Sequence, residues 1–124
     1  MDQEVLVEGG LALVTAMDRE GVSPRMAVWV HNTDTDTWKL WLVPPNELTD
    51  KRDFYRRLAQ IISAHRSELS GLEISDTEFV QADHPGVVGL GRFIRAPGLV
   101  TAHFTANRFN GYLLPEVILL RSNL

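Results

Sequence analysis

Residues 83–111 hold the densest set of side chains able to do chemistry. Asp83, His84, Arg92, Arg95, His103, Asn107, Arg108 and Asn110 all fall within that span. Arginine presents a planar fork that fits phosphate and carboxylate, and histidine exchanges protons near neutral pH. One reading is therefore an anion site. Arg92, Arg95 and Arg108 would hold a phosphate-bearing ligand, a nucleotide or nucleic acid, while His84 and His103 serve as acid and base in a hydrolase. The competing reading is a solvated sheet face with ordinary surface arginines. On a strand, Thr101, His103 and Thr105 would share a polar face opposite Ala102 and Phe104.

The second feature is aromatic. Trp29, Trp38 and Trp41 stand close together in the chain. Trp38 and Trp41 are an odd number of residues apart, so on a strand they point to opposite faces. At least one must be covered by a helix. Any that stays at the surface suits contact with a protein partner, a common use of tryptophan.

Other patterns exclude more than they suggest. No cysteine is present, which removes disulfides, thiolate metal sites and cysteine nucleophiles. His31, His65, His84 and His103 show no metal-binding spacing, and His65 falls on the apolar stripe of a helix. Asn32-x-Asp34-x-Asp36 begins like a calcium loop. The sixth and twelfth positions are Thr37 and Val43, where glycine and glutamate are needed, so a polar turn is expected. Gly86-x-x-Gly89-x-Gly91 is neither a dinucleotide fingerprint nor a phosphate loop; a helix N-terminus there can still hold an anion through free N–H groups, against the expected reading of close helix packing or a frayed helix. No serine sits in a nucleophile elbow.

These residues need elements to position them. Residues 3–19 carry Leu6, Leu13, Val14 and Met17 near helical spacing, with Gly9 and Gly10 allowing a close contact or a bend. Residues 25–31 and 37–43 read as a β-hairpin around the turn formers 32–36. The strongest helix is 50–69, with Phe54, Tyr55, Leu58, Ile61, Ile62, His65 and Leu69 along one stripe. Thr49 or Asp50 would cap it, and Asp53 is spaced to pair with Arg57. A strand over 77–81 follows. A third helix begins at Asp83-His84-Pro85 and ends by Pro97-Gly98. Strands over 99–105 and 112–121 flank an Asn110-Gly111 turn. Pro115 marks the last as an edge strand, or breaks it before Val117.

The order α-β-β-α-β-α-β-β is that of an α+β protein. A mostly antiparallel five-stranded sheet packed by about three helices would bury every apolar stripe. At 124 residues, one domain over 1–124 is expected. The acidic N-terminus and the absence of a long apolar run point to a cytoplasmic, membrane-free protein. Residues 1–83 carry a net charge of −7 and residues 84–124 a net charge of +3. A mildly acidic whole makes nucleic acid a lesser candidate partner. With no catalytic motif or cofactor signature, the leading expectation is a non-enzymatic interaction or regulatory subunit. It would bind a protein partner or itself as a homo-oligomer, through Trp29, Trp38 and Trp41 of the hairpin or through a sheet edge.

Overall fold

The computed structural model describes residues 2–109 and 111–124, and follows the expected order of elements. The elements are α1 (Gln3–Arg19), β1 (Met26–Asn32), β2 (Thr37–Val43), α2 (Lys51–Ala64), β3 (Thr77–Phe79), α3 (Pro85–Phe93), β4 (Ala102–Phe109) and β5 (Tyr112–Ser122). Single-turn 3-10 segments occupy Arg66–Glu68 and Ile74–Asp76. The five strands form one sheet in the order β3-β2-β1-β5-β4. Every neighbouring pair is antiparallel except β2 and β3.

Strand alternation divides the core in two. Ala27, Trp29, Leu40, Leu42, Ile118 and Leu120 face α1 and α2, where they meet Leu6, Leu13, Met17, Phe54, Leu58 and Ile62. Met26, Val28, Trp41, Val43, Val117 and Leu119 face the opposite way, onto Val87 and Leu90 of α3. Each fully buried leucine or phenylalanine contributes roughly 1.5–3 kcal/mol through removal from water. One face thus carries two long helices, and the other carries one helix of nine residues.

The helix ends follow local chemistry. The Asp2 and Asp50 carboxylates accept from the backbone N–H groups of Glu4 and Asp53, both at 3.0 Å. The second helix is shorter than its apolar stripe suggests. It stops at Ala64, and His65 becomes its C-cap. Leu69 stays buried although it is past the helix, because positive φ at Ser70 and Gly71 folds the chain back. Asp53 pairs with Arg56 at 3.6 Å, not with Arg57, whose guanidinium instead donates to the Glu20 carbonyl.

Three further boundaries differ from expectation. β3 ends at Phe79, and α3 ends at Phe93, where Ile94 turns extended. β4 runs over 102–109, while Val100 joins the sheet only by donating to the Leu120 carbonyl. Pro115 neither breaks β5 nor makes it an edge strand, since β5 lies between β1 and β4. The β1 pairing ends at Val30 with Val117. Alternation turns the backbone nitrogen of Pro115 to β4, so that ladder lacks one donor while the neighbouring pairs Thr105 with Glu116 and Asn107 with Leu114 keep the strands together. Asn110 of the expected turn lies outside the described residues, and Gly111 beside it has φ +77°.

Two tertiary contacts are restrictive. A Cβ on Gly10 would stand 2.6 Å from both Trp29 Nε1 and Leu120 Cδ1, so glycine lets α1 lie directly on the sheet. The Trp29 indole N–H donates to the Leu6 carbonyl at 2.8 Å at the same crossing. Near the other end of α1, Arg121 makes a two-pronged bond to Asp18, at 2.7 and 2.8 Å, while its own side chain is almost wholly buried. The hydrogen bond from Arg121 holds the Asp18 carboxyl below its ordinary value of 3.8; partial burial opposes this and a Ser23 hydrogen bond adds to it.

Gly10→Ala is expected to destabilise the protein by about 1–2 kcal/mol in urea unfolding, because overpacking outweighs the roughly 1 kcal/mol gain in helix propensity. A second prediction concerns acid. With its folded pKa depressed, Asp18 stabilises the protein above pH 3.8 and loses that contribution as pH falls through the lower folded value. Asp18→Asn should therefore cost about 1.5–3 kcal/mol near neutral pH and flatten the acid limb of the stability curve. Equal acid slopes for the two proteins would show that the pair contributes nothing.

Candidate functional site

β3 and β4 are the two outer strands, and they differ in how open they are. β3 has three residues and lies beside α2 and the Ile74–Asp76 turn, which keeps it short and protected. β4 has eight residues and pairs on one side only, with β5. The Leu42 carbonyl accepts from Val80 of the β3 side, so odd-numbered β2 residues face β1, odd-numbered β1 residues face β5, and odd-numbered β5 residues up to Leu119 face β4; the bulge at Leu120 reverses this phase before Ser122. Alternation then directs the backbone groups of His103 and Asn107 outward, away from β5.

The chain around this edge is basic and apolar. No acidic residue stands between Asp83 and Glu116. Arg92 lies in the last turn of α3, Arg95 precedes the Ala96 bridge, and Arg108 lies near the end of β4. All three are exposed, and none makes an ion pair among the described residues. The Phe93 ring packs edge-on against Phe104, with centroids 5.4 Å apart, yet Phe93 is 63% exposed. Leu99, just before β4, is also exposed.

His103 sits on β4 but turns to the face that carries α1. Its Nε2 lies 2.7 Å from Glu116, which also accepts from the Gln3 amide at 3.0 Å. The second Glu116 oxygen lies 3.8 Å from His31 Nδ1, and His31 Nε2 lies 2.8 Å from Asp36. The result is a line of alternating carboxylate and imidazole groups: Asp36, His31, Glu116, His103. His31 is also stacked on Trp38 at 4.8 Å. This arrangement joins the end of the β1–β2 hairpin to the middle of the β4–β5 hairpin. Its outer end, beside His103, opens on a shallow depression of about 370 Å³ lined by Gln3, Glu4, Val7, Glu8 and Thr101.

His84 belongs to different surroundings. It caps α3 through Nδ1, which accepts from Gly86 N–H at 3.1 Å, so the neutral ring carries its proton on Nε2. The ring packs edge-on against Trp41 and Tyr112, both at 4.9 Å, on the α3 face. Beside this trio the hairpin β1–β2 and the hairpin β4–β5 diverge past Val30 and Val117. They leave an open cleft of about 580 Å³ lined in part by Val30, Lys39, Trp41, Glu78, Tyr112 and Leu114. His84 and His103 thus lie on opposite faces of the sheet, and no hydrogen bond or ring contact joins them among the described residues. The glycines of 86–91 serve packing: a Cβ on Gly91 would come within 2.6 Å of Leu124, and one on Gly86 within 3.1 Å of Tyr112.

The tryptophans divide as alternation requires, but not in favour of surface contact. Trp29 is 2% exposed and hydrogen-bonded within the core, so it is not a partner contact. Trp41 is 8% exposed, covered by His84 and Tyr112. Only Trp38 keeps part of its surface, and His31 covers one side of it. His65 is a boundary histidine between the carboxylates of Glu20 and Glu68, at 3.5 and 3.7 Å. Among the described residues, no group of three or more His, Asp or Glu side chains is placed to hold a metal ion, and no helix is long and apolar enough to cross a membrane.

Sequence reasoning did not identify Glu116 as a hub, or β4 as the open edge. The signal for Glu116 was its isolation as the sole carboxylate after Asp83. No family model, no curated protein and no solved structure matches the chain.

If the His103–Glu116 bond links the strands energetically, Glu116→Gln and His103→Gln should be non-additive. A coupling of about 0.5–1.5 kcal/mol is expected from a double-mutant cycle of urea unfolding. A coupling near zero would class the bond with exposed ion pairs that contribute nothing.

Proposed function

We propose that this protein is a non-enzymatic interaction subunit that binds another polypeptide through the open edge of β4. The observation that carries this reading is the unprotected edge itself. Natural sheets shield a long outer strand with lysine, proline, a bulge or a covering element, because its free backbone groups attract another strand. β4 carries neither lysine nor proline along its eight residues. Phe93 and Leu99 place apolar surface beside it, the composition expected at the centre of an interface.

This reading keeps the sheet edge and drops the tryptophan hairpin as the main surface. The hydrolase alternative has no support in the geometry, since its two histidines lie on opposite faces and its arginines flank a strand edge. Within the cell the setting is proposed to be the cytoplasm, in keeping with the absence of cysteine.

Asn107→Pro tests the proposal. It removes an outward N–H and leaves the β5 ladder bonds in place. Native mass spectrometry of the gently purified protein should show a stoichiometric polypeptide partner or a second copy with the wild type. The folded variant should lose that species. A wild type that is strictly monomeric, or a complex indifferent to Asn107→Pro, would overturn the proposal.

A further inference from the structure

The charge pattern along the same edge says what kind of strand it would accept. From the charge pattern we infer that β4 receives an extended acidic segment of a different protein, which adds to the sheet as a sixth strand; this rests on the edge reading above. Arg95 and Arg108 stand near the two ends of the edge, and Arg92 lies beside Phe93 at the end of α3. All three are exposed and lack ion-pair partners among the described residues, whereas Arg121, the remaining arginine of the C-terminal third, is buried on Asp18. Carboxylates are absent from the chain between Asp83 and Glu116. His103, also on β4, turns its ring to Glu116, so the basic groups at the edge are left to an incoming ligand.

Two copies paired through β4 would bring these arginines together with no carboxylate to neutralise them. Like charges placed together disfavour that pairing, whereas an acidic strand gains at every arginine. Phe93 and Phe104 supply an apolar spot on the α3 side for alternate residues of the incoming strand. A nucleic acid would meet the same positive charge. It would not use the outward backbone groups, and the chain as a whole has a net charge of −4, which repels a polyanion. A short acidic segment feels chiefly the local arginines, because salt screens the rest of the surface beyond roughly 8 Å.

The test uses the full chain and labelled peptides of alternating Glu and Val, with a Lys and Val counterpart and an oligo-dT strand as probes. Fluorescence anisotropy should detect the acidic peptide at low salt, with affinity falling at least about tenfold as salt rises to the physiological range. Backbone amide shifts should concentrate on Ala102–Arg108. The double reversal Arg95→Glu with Arg108→Glu should abolish binding of the acidic peptide and create binding of the Lys peptide. Asn107→Pro should weaken the acidic peptide by about tenfold or more, as loss of strand addition requires.

Equal binding of both peptides to the wild type would overturn the charge assignment. Tighter binding of oligo-dT, competing with the peptide, would overturn it in favour of nucleic acid. Indifference to Asn107→Pro would leave charge attraction alone and overturn strand addition. If no peptide binds while a complex sensitive to Asn107→Pro persists, the edge reading stands and the acidic partner does not. If that complex is a homodimer, the inference that the partner is a different chain is wrong.

Discussion

The closeness of α1 to the sheet constrains most of what surrounds it. At Gly10 there is no room for even one carbon atom between the helix backbone and the Trp29 indole. The indole N–H is spent on the Leu6 carbonyl at the same crossing, so the largest side chain of the core is fixed in both position and polarity. A buried indole N–H without a partner would cost a desolvation penalty of about 1–3 kcal/mol. The glycine pair therefore accepts a loss of helix propensity in exchange for a contact that satisfies a polar group and fills volume together. Gly9 belongs to the same arrangement, since a Cβ there would meet the Leu69 carbonyl at 2.8 Å.

Once α1 and α2 seal that face, the rest of the architecture is asymmetric. The opposite face has one helix of nine residues to cover a five-stranded sheet. Trp41, His84 and Tyr112 fill part of the remaining area by edge-on ring contacts, a geometry aromatic rings prefer to a flat sandwich. What stays uncovered lies mainly in the C-terminal third: Phe93, Leu99, Tyr112, Leu113 and Leu124 are all exposed, and Ile74 is the exception. Exposed apolar area and the open outer strand are thus two consequences of one shortfall of covering structure. The Arg121–Asp18 pair and the Glu116 hub work against that shortfall by joining α1 to β5 and the β1–β2 hairpin to the β4–β5 hairpin.

Much of this fold was legible in the chain because it rests on periodicity. The alternation of Trp38, Leu40 and Leu42 against Trp41 and Val43 sorted side chains to the faces they occupy. The α2 stripe was visible through Ile62 and misled only at its end. The alternation of apolar residues continues to Leu69 although the helix does not, because a folded-back turn can bury a leucine as well as a helix can. Strand order was not legible. Nothing in the spacing of residues tells that β5 enters between β1 and β4, and it is that placement which makes β4 an edge and separates His84 from His103. Proximity in sequence had grouped those two histidines, but a sheet sends such neighbours to opposite faces as readily as to one. Burial of Trp29 was hidden for a similar reason: it depends on a partner surface made by Leu6 and Gly10, and sequence alone leaves the glycine pair as either a bend or a contact.

The same separation explains why the basic residues of the C-terminal third converge on a line and not on a pocket. A catalytic anion site needs guanidinium groups aimed at one point, with acid and base within hydrogen-bond reach of the same atom. Here Arg95 and Arg108 are strung out along the run of chain that borders β5, and the histidines are each engaged elsewhere, one as a helix cap and one on Glu116. Charge spread along an extended backbone matches a ligand that is itself extended, with a repeat of its own. A strand offers that match, because its side chains recur with period two and its backbone can bond at every second residue. The physical content of the edge is therefore a combination of free backbone on one side, positive charge near its ends and a phenylalanine pair above it, and each of these arises from where β5 lies in the sheet.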